Sequence, residues 1–303
     1  MKTKFIVYGN CQIEPLKFLL LKSKKFSDYF TYSSGIKPVH LLRPEDTTQV
    51  ITVLKNIDCF IYQKVGLAYG DFSTDPLMGY LKDSCHRICV PNSFFRGYNP
   101  ETIYFKVNGK KISGFCDYHD ANVLREWIRG ASLEKMERML RNPDYYSKSF
   151  ISQNAEESLN ELEKRESECD ITISDFIKSN WIDQKLFHTI NHPSNNLLIE
   201  MANRILKIIG IPKLDKTELD IKKELIGGTV LPIYKSIKDY IKITCNEDFK
   251  EDIKIRGSRF SFFNYLQKIE EQYNELLFQS VVDEFEKLKN SSSTLTLQLL
   301  TRL

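Results

Sequence analysis

The chain has 303 residues, 42% of them hydrophobic, enough to bury a substantial core in one large domain or two smaller ones. Its 43 basic and 40 acidic side chains leave a net charge of only +3, so no whole-chain field that would gather nucleic acid is implied. No stretch approaches the roughly 20 apolar residues of a membrane span, and the short apolar run FIVY near the N-terminus cannot serve as the core of a signal peptide.

Residues 4–8 read as a buried strand and 13–22 as the opening of a helix, with Pro15 tolerated in its first turn. Between them lies Gly9-Asn10-Cys11-Gln12. Polar residues at 43–48 then precede a helix-like run at 50–54 and the strand candidate DCFIYQ at 58–63. A third candidate, HRICVPNS at 86–93, also ends in polar residues. Strands separated by helices imply a small parallel sheet with helices on its faces, the α/β class. In such a sheet a ligand lies beyond the carboxyl ends of the strands, where these runs place Asn10-Cys11-Gln12, Gln63 and Asn92.

From about 119 onward the pattern is mostly helical. Residues 120–130 and a helix from Ser132 to 141 are followed by a charged segment at 155–168 and apolar Ile171, Ile173, Phe176 and Ile177. The strongest helix spans 193–209, with apolar Leu197, Leu198, Met201, Ala202, Ile205, Leu206 and Ile209. Pro193 falls in its first turn and Gly210 at its stop, which puts His192 at the N-cap. Beyond 213 the pattern loosens around Gly227-Gly228 until an amphipathic helix at 262–288, and the tail 290–303 reads as docking or disordered. The division expected is an α/β catalytic domain at 1–212 with a helical insertion, and a mostly helical extension at 213–303 packing on it. Helix predominates overall.

The seven cysteines are scattered, without a CxxC pair, which argues against a disulfide framework or zinc knuckle and for a reducing cytoplasm. Cys85 and Cys89 flank His86, but no second pair follows to complete a metal site, and none is expected. Cys11, at a strand-to-helix junction, stands beside the N–H groups of a helix's first turn; these lower a thiol's pKa and favour the nucleophilic thiolate. The plainer alternative is a small buried apolar side chain.

A nucleophilic thiol needs a base. His192, at a helix start, is kept neutral by the helix dipole and suits that role, or else it simply caps the helix. His188 stands four residues earlier and could orient it, and His119, between Asp117 and Asp120, is the next candidate. Asn92, Asn10 or Gln12 could donate to an oxyanion. Arg96, in SFFRGYNP, offers a cation among aromatics for a phosphate or flat ring. Neither a P-loop nor a GxGxxG fingerprint occurs.

With YGNCQ near the N-terminus, IYQ at 61–63, VPNSFFRGYNPE at 90–101, DYHD at 117–120, and ISDFI with LFHTINHPSNNLL within 173–198, the chain resembles the WcbI family of capsular polysaccharide biosynthesis proteins. That resemblance spans about the first 210 residues and implies an acetyltransferase that binds coenzyme A. The family's arrangement is similar in turn to the SGNH hydrolases, whose serine, asparagine and histidine fall at Cys11, Asn92 and His192. Where those enzymes carry an aspartate three residues before the histidine, this chain has Thr189. Asp117 or His188 would then orient the imidazole, or the site would work as a dyad.

The resemblance thus implies transfer of an acyl group from coenzyme A or acetyl-coenzyme A to a sugar hydroxyl. Cys11, His192, Asn92 and Asn10 would act at the centre, with Gln12, Gln63, Arg96, His119 and His188 holding substrate. A thiol-dependent esterase of acylated glycans and a non-catalytic component of a glycan-synthesis complex are the alternatives. The partners expected are the acyl donor and a sugar or glycan acceptor, with a second copy of the chain or the glycan-synthesis machinery left open.

Overall fold

In the computed structural model, which describes residues 1–33, 35–214, 219–241 and 253–291, the N-terminal apolar run forms strand β1, Thr3–Tyr8. Phe5, Ile6, Val7 and Tyr8 are all buried, as befits a strand covered on both faces. The chain continues through α1 (Ile13–Lys22), α2 (Lys24–Tyr29), β2 (Phe30–Tyr32), α3 (Thr47–Leu54), β3 (Cys59–Gln63) and β4 (His86–Val90). The strands lie in the order β2-β1-β3-β4, all parallel. The protein is therefore α/β, with a four-stranded parallel sheet flanked by helices. Neither α2 nor β2 has a counterpart among the elements expected from the sequence.

The described chain divides into two compact units, each gathered from three stretches, whereas the sequence reading divides it once, near 212. The first comprises Met1–Phe94, Leu159–Asn180 and Asn191–Ile226 and holds the sheet. On one face Ile6, Tyr8 and Phe60 pack with Val50 and Leu54 of α3 and with Ile57, Leu77 and Leu81. On the other, Phe5 meets Phe26 edge-on at 4.9 Å, and Phe26 stacks on Phe30 at 4.4 Å. Such pairs contribute roughly 0.5–1.5 kcal/mol beyond their buried area. The same unit contains the helix Asn195–Ile209, whose buried face carries Leu197, Leu198, Met201, Ala202, Ile205 and Leu206 and packs on α1. Gly210, left-handed at φ 77°, terminates it as expected. Its N-cap, however, is Ser194, so Pro193 lies outside the helix and His192 is not the cap.

The second unit comprises Phe95–Ser158, Trp181–Ile190 and the described residues from Gly227 on. Asp120 caps the helix Ala121–Ile128 through Asn122 N and Val123 N, and Ser132 caps Leu133–Leu140 through Lys135 N, as their residue types foretell. The amphipathic stretch expected as one helix at 262–288 is two, Phe262–Asn274 and Phe278–Ser291, interrupted at 275–277. The charged segment at 155–168 continues the helix Lys148–Glu166. Residues 292–303 of the expected docking tail lie outside the described residues. No helix among the described residues is long and apolar enough to cross a membrane.

Candidate active site

Beyond Tyr8 the chain turns at Gly9, whose φ is +154°. A Cβ there would stand 2.4 Å from Gln63 Oε1, so only glycine lets the end of β1 approach the end of β3 this closely. The approach allows Asn10 N to donate to Gln63 Oε1 at 3.0 Å. Asn10 Oδ1 accepts from Gln12 N at 2.8 Å, an Asx turn that launches α1. Its Nδ2 donates to Asn92 Oδ1 at 2.7 Å, two residues past β4.

Gln12 is wholly buried. Its Nε2 donates to the carbonyls of Ser93 and Asn191, both at 2.8 Å. Its Oε1 accepts from Ser93 N at 3.1 Å, Ser93 Oγ at 2.8 Å and Gln63 Nε2 at 3.0 Å. Gln63 Nε2 also reaches Pro91 O at 3.3 Å. One amide thus clasps the ends of β3 and β4 and the residue before His192. Gln12 and Gln63, read from sequence as substrate contacts, direct their amides into this clasp.

Cys11 is half-buried at the turn, one residue before the α1 N-cap Gln12. Burial pushes its thiol above the usual value, and the opposing pull of its own backbone amide is weaker. This runs against the sequence expectation of a lowered pKa, because burial of the sulfur outweighs the hydrogen bond from its own backbone amide. Asn92 is exposed, and its Oδ1 is taken by Asn10. His192 is half-buried and sits with Pro193 in a two-residue strand. Cys11, Asn10, Asn92 and His192 all belong to the first unit, on segments that Gln12 and Asn10 tie together.

Residues 4–214 match the family described as the polysaccharide biosynthesis enzyme WcbI. The chain belongs to the WcbI family. The fold agrees with a solved structure of WcbI, described as a novel polysaccharide biosynthesis enzyme and as native protein without a disulfide bond between coenzyme A and one of its cysteines. That structure is 20% identical with a TM-score of 0.85, over 100% of this chain and 99% of the other. No curated protein matches the chain.

The other candidates of this WcbI-family chain lie in the second unit. His119 is buried, with Nδ1 at 3.2 Å from Tyr273 Oη and Nε2 at 3.0 Å from Ile112 O, so both ring nitrogens are engaged. Burial lowers its pKa. Arg96 binds the carbonyls of Pro100 and Thr102 within its own loop. His188 is buried in the strand Phe187–Thr189, its carbonyl accepting from Leu231 N at 2.9 Å. Asp117 pairs with Lys111 and Arg256, each at 3.5 Å.

Two features carry little signal in the sequence. Ser93 supplies the backbone and hydroxyl that Gln12 grips, and its only signal was its place directly after Asn92. In the second unit Glu101 and Asp120 form a fully buried acidic pair beside Tyr146 and Tyr234. Burial raises Asp120 to about 6 and, together with Asp120's charge, holds Glu101 well above its usual range. Both line a small pocket with Thr102, His119, Leu231 and Tyr265. Among the described residues no group of three His, Cys, Asp or Glu side chains is arranged to hold a metal.

Proposed function

We propose that this chain transfers an acyl group, acetyl in the first instance, from coenzyme A to a sugar hydroxyl in the synthesis of a surface polysaccharide in the cytoplasm. The observation that carries the reading is the Gln12 clasp, which gathers the Cys11 turn, the Asn92 strand end and the segment entering His192. The family's role in polysaccharide biosynthesis and the coenzyme A named with the WcbI structure supply the class of substrates.

The acceptor hydroxyl attacks the thioester carbonyl while His192 takes its proton, and coenzyme A leaves as its thiol when that proton is returned. Asn92 Nδ2 donates to the oxyanion between these steps; such a donor contributes roughly 10²-fold or more in rate. Because burial keeps Cys11 protonated, a covalent route through an acyl-thioester requires His192 to deprotonate that thiol first.

The test follows release of free coenzyme A from acetyl-coenzyme A with a panel of sugar acceptors, in wild type, Cys11→Ala and His192→Ala. Loss of acceptor-dependent release in His192→Ala supports the reading, and unchanged turnover in both variants refutes it. An acetyl adduct on Cys11 in the intact mass identifies the covalent route. Thermal shifts with coenzyme A, acetyl-coenzyme A and plain nucleotides separate specific binding from none.

A further inference from the structure

In the first unit, on β4, Cys89 Sγ lies 3.5 Å from Cys169 Sγ, 80 residues later in the chain. The backbones are locked in register there: Asp170 N donates to Cys89 O at 2.9 Å, and Cys89 N donates to Asp170 Oδ2 at 2.6 Å. Cys169 is half-exposed, while Cys89 is buried. Lys64, on the neighbouring strand's exit, forms an ion pair with Glu168. A disulfide would bring the two sulfurs, now 3.5 Å apart, to roughly 2.05 Å.

We propose that Cys89 and Cys169 form a reversible disulfide, a modification site answering to a peroxide or a low-molecular-weight disulfide. The exposed Cys169 meets the oxidant. With a peroxide, its sulfur attacks the O–O bond, giving a sulfenic acid and one water or alcohol. Cys89, its proton lost, then attacks the Cys169 sulfur, forming the S–S bond and releasing one water. Two thiols thus supply two electrons and two protons to one oxidant, and thiol reductants reverse the change. The Cys169 thiol beside it, with Tyr62 and Lys64 also contributing, draws the Cys89 thiol below its usual value, while the neighbouring Cys89 and burial push the Cys169 thiol up, so Cys169 attacks the oxidant as its proton passes to Cys89.

The crosslink fastens the carboxyl end of β4, three residues before Asn92, to the segment after the helix Lys148–Glu166. Closing a loop of this length restricts the unfolded chain strongly, so oxidised protein melts at a higher temperature. This inference does not depend on the acyl-transfer reading.

The experiment treats the full chain with hydrogen peroxide or oxidised glutathione, blocks remaining thiols, and maps peptides without reduction. The expected result is a Cys89–Cys169 crosslinked peptide, an intact-mass loss of about 2 Da, and a melting temperature that rises and returns on reduction. Cys169→Ser, at a half-exposed position, abolishes all three. A wild type whose oxidation appears only as mixed disulfides or sulfinic acid, or whose crosslink joins other cysteines, overturns the proposal. So does a mass loss and melting shift that persists in Cys169→Ser.

Discussion

Gln63 Nε2 donates to Gln12 Oε1 at 3.0 Å, joining the end of β3 to the first residue before α1 through two buried amides. The Gln12 side-chain amide meets five polar groups, at a position with no solvent exposure. Gln12→Ala strips partners from all of them, and buried groups left unsatisfied cost roughly 1–3 kcal/mol each before water partly compensates. The expected loss is about 3–5 kcal/mol, read as a lowered urea midpoint at unchanged m-value. Gln12→Glu keeps the acceptor and forfeits both donations, so it also destabilises, and less so below pH 5 where the acid regains a proton. A midpoint within error of wild type for either variant would show that the clasp is dispensable.

Gly9→Ala tests the close approach of β1 and β3. Its Cβ would stand 2.4 Å from Gln63 Oε1 and 2.9 Å from Gln63 Cβ. Gln63 cannot swing away without breaking its bonds to Asn10, Gln12 and Pro91. Overpacking of this kind costs about 1–3 kcal/mol, with coenzyme A release lowered alongside because Asn10 moves with the turn. Chemical denaturation and turnover measured on the same preparation decide it, and wild-type values in both would refute it.

The elements with strong periodicity were legible. The end of β1, the start of α1, the helix start at Ser132 and the stop at Gly210 all follow from local residue types. The three-residue β2 was not, because Phe30-Thr31-Tyr32 is too short to show alternation. Nor was the interruption at 275–277, where Glu275-Leu276-Leu277 carries neither glycine nor proline. The polar strand ends were readable as a cluster, but not the mutual grip of Gln12, Gln63 and Ser93, since its bonds join residues 51 and 81 apart. His119 invited a functional reading from its acidic neighbours, whereas its ring is held by Ile112 and Tyr273, the latter 154 residues away.

The raised thiol pKa of Cys11 sets the pH dependence of its reactivity. Burial holds the proton on, so the thiolate fraction at pH 7 is smaller than for an ordinary cysteine, and alkylation still climbs above the usual thiol value of 9. Iodoacetamide labelling of Cys11, followed by peptide mass from pH 7 to 10, is expected to rise throughout, while the same peptide in the unfolded chain levels off earlier. A plateau below pH 8 would reveal an activated resting thiolate and favour the covalent route without help from His192. In linkage terms the folded state holds this proton more tightly, so the contribution of Cys11 to stability is present below pH 9 and is lost as pH rises beyond it.

Asp120 offers a second pH test, away from the proposed chemistry. Its carboxyl caps Asn122 N at 2.8 Å and Val123 N at 3.1 Å, and Tyr234 Oη donates to Oδ2 at 2.5 Å, yet burial still lifts it from 3.8 to about 6. The folded state therefore binds the proton more tightly than the unfolded chain. Its stabilising contribution is complete below pH 4 and fades as pH rises through 6. Asp120→Asn keeps an oxygen for the two backbone donors and removes the titration. The difference in unfolding free energy, wild type minus variant, should accordingly fall between pH 4 and 7 in parallel urea titrations. Curves that stay parallel would mean that Asp120 ionises in the folded protein without penalty and that Tyr234 and the helix cap fully offset its burial.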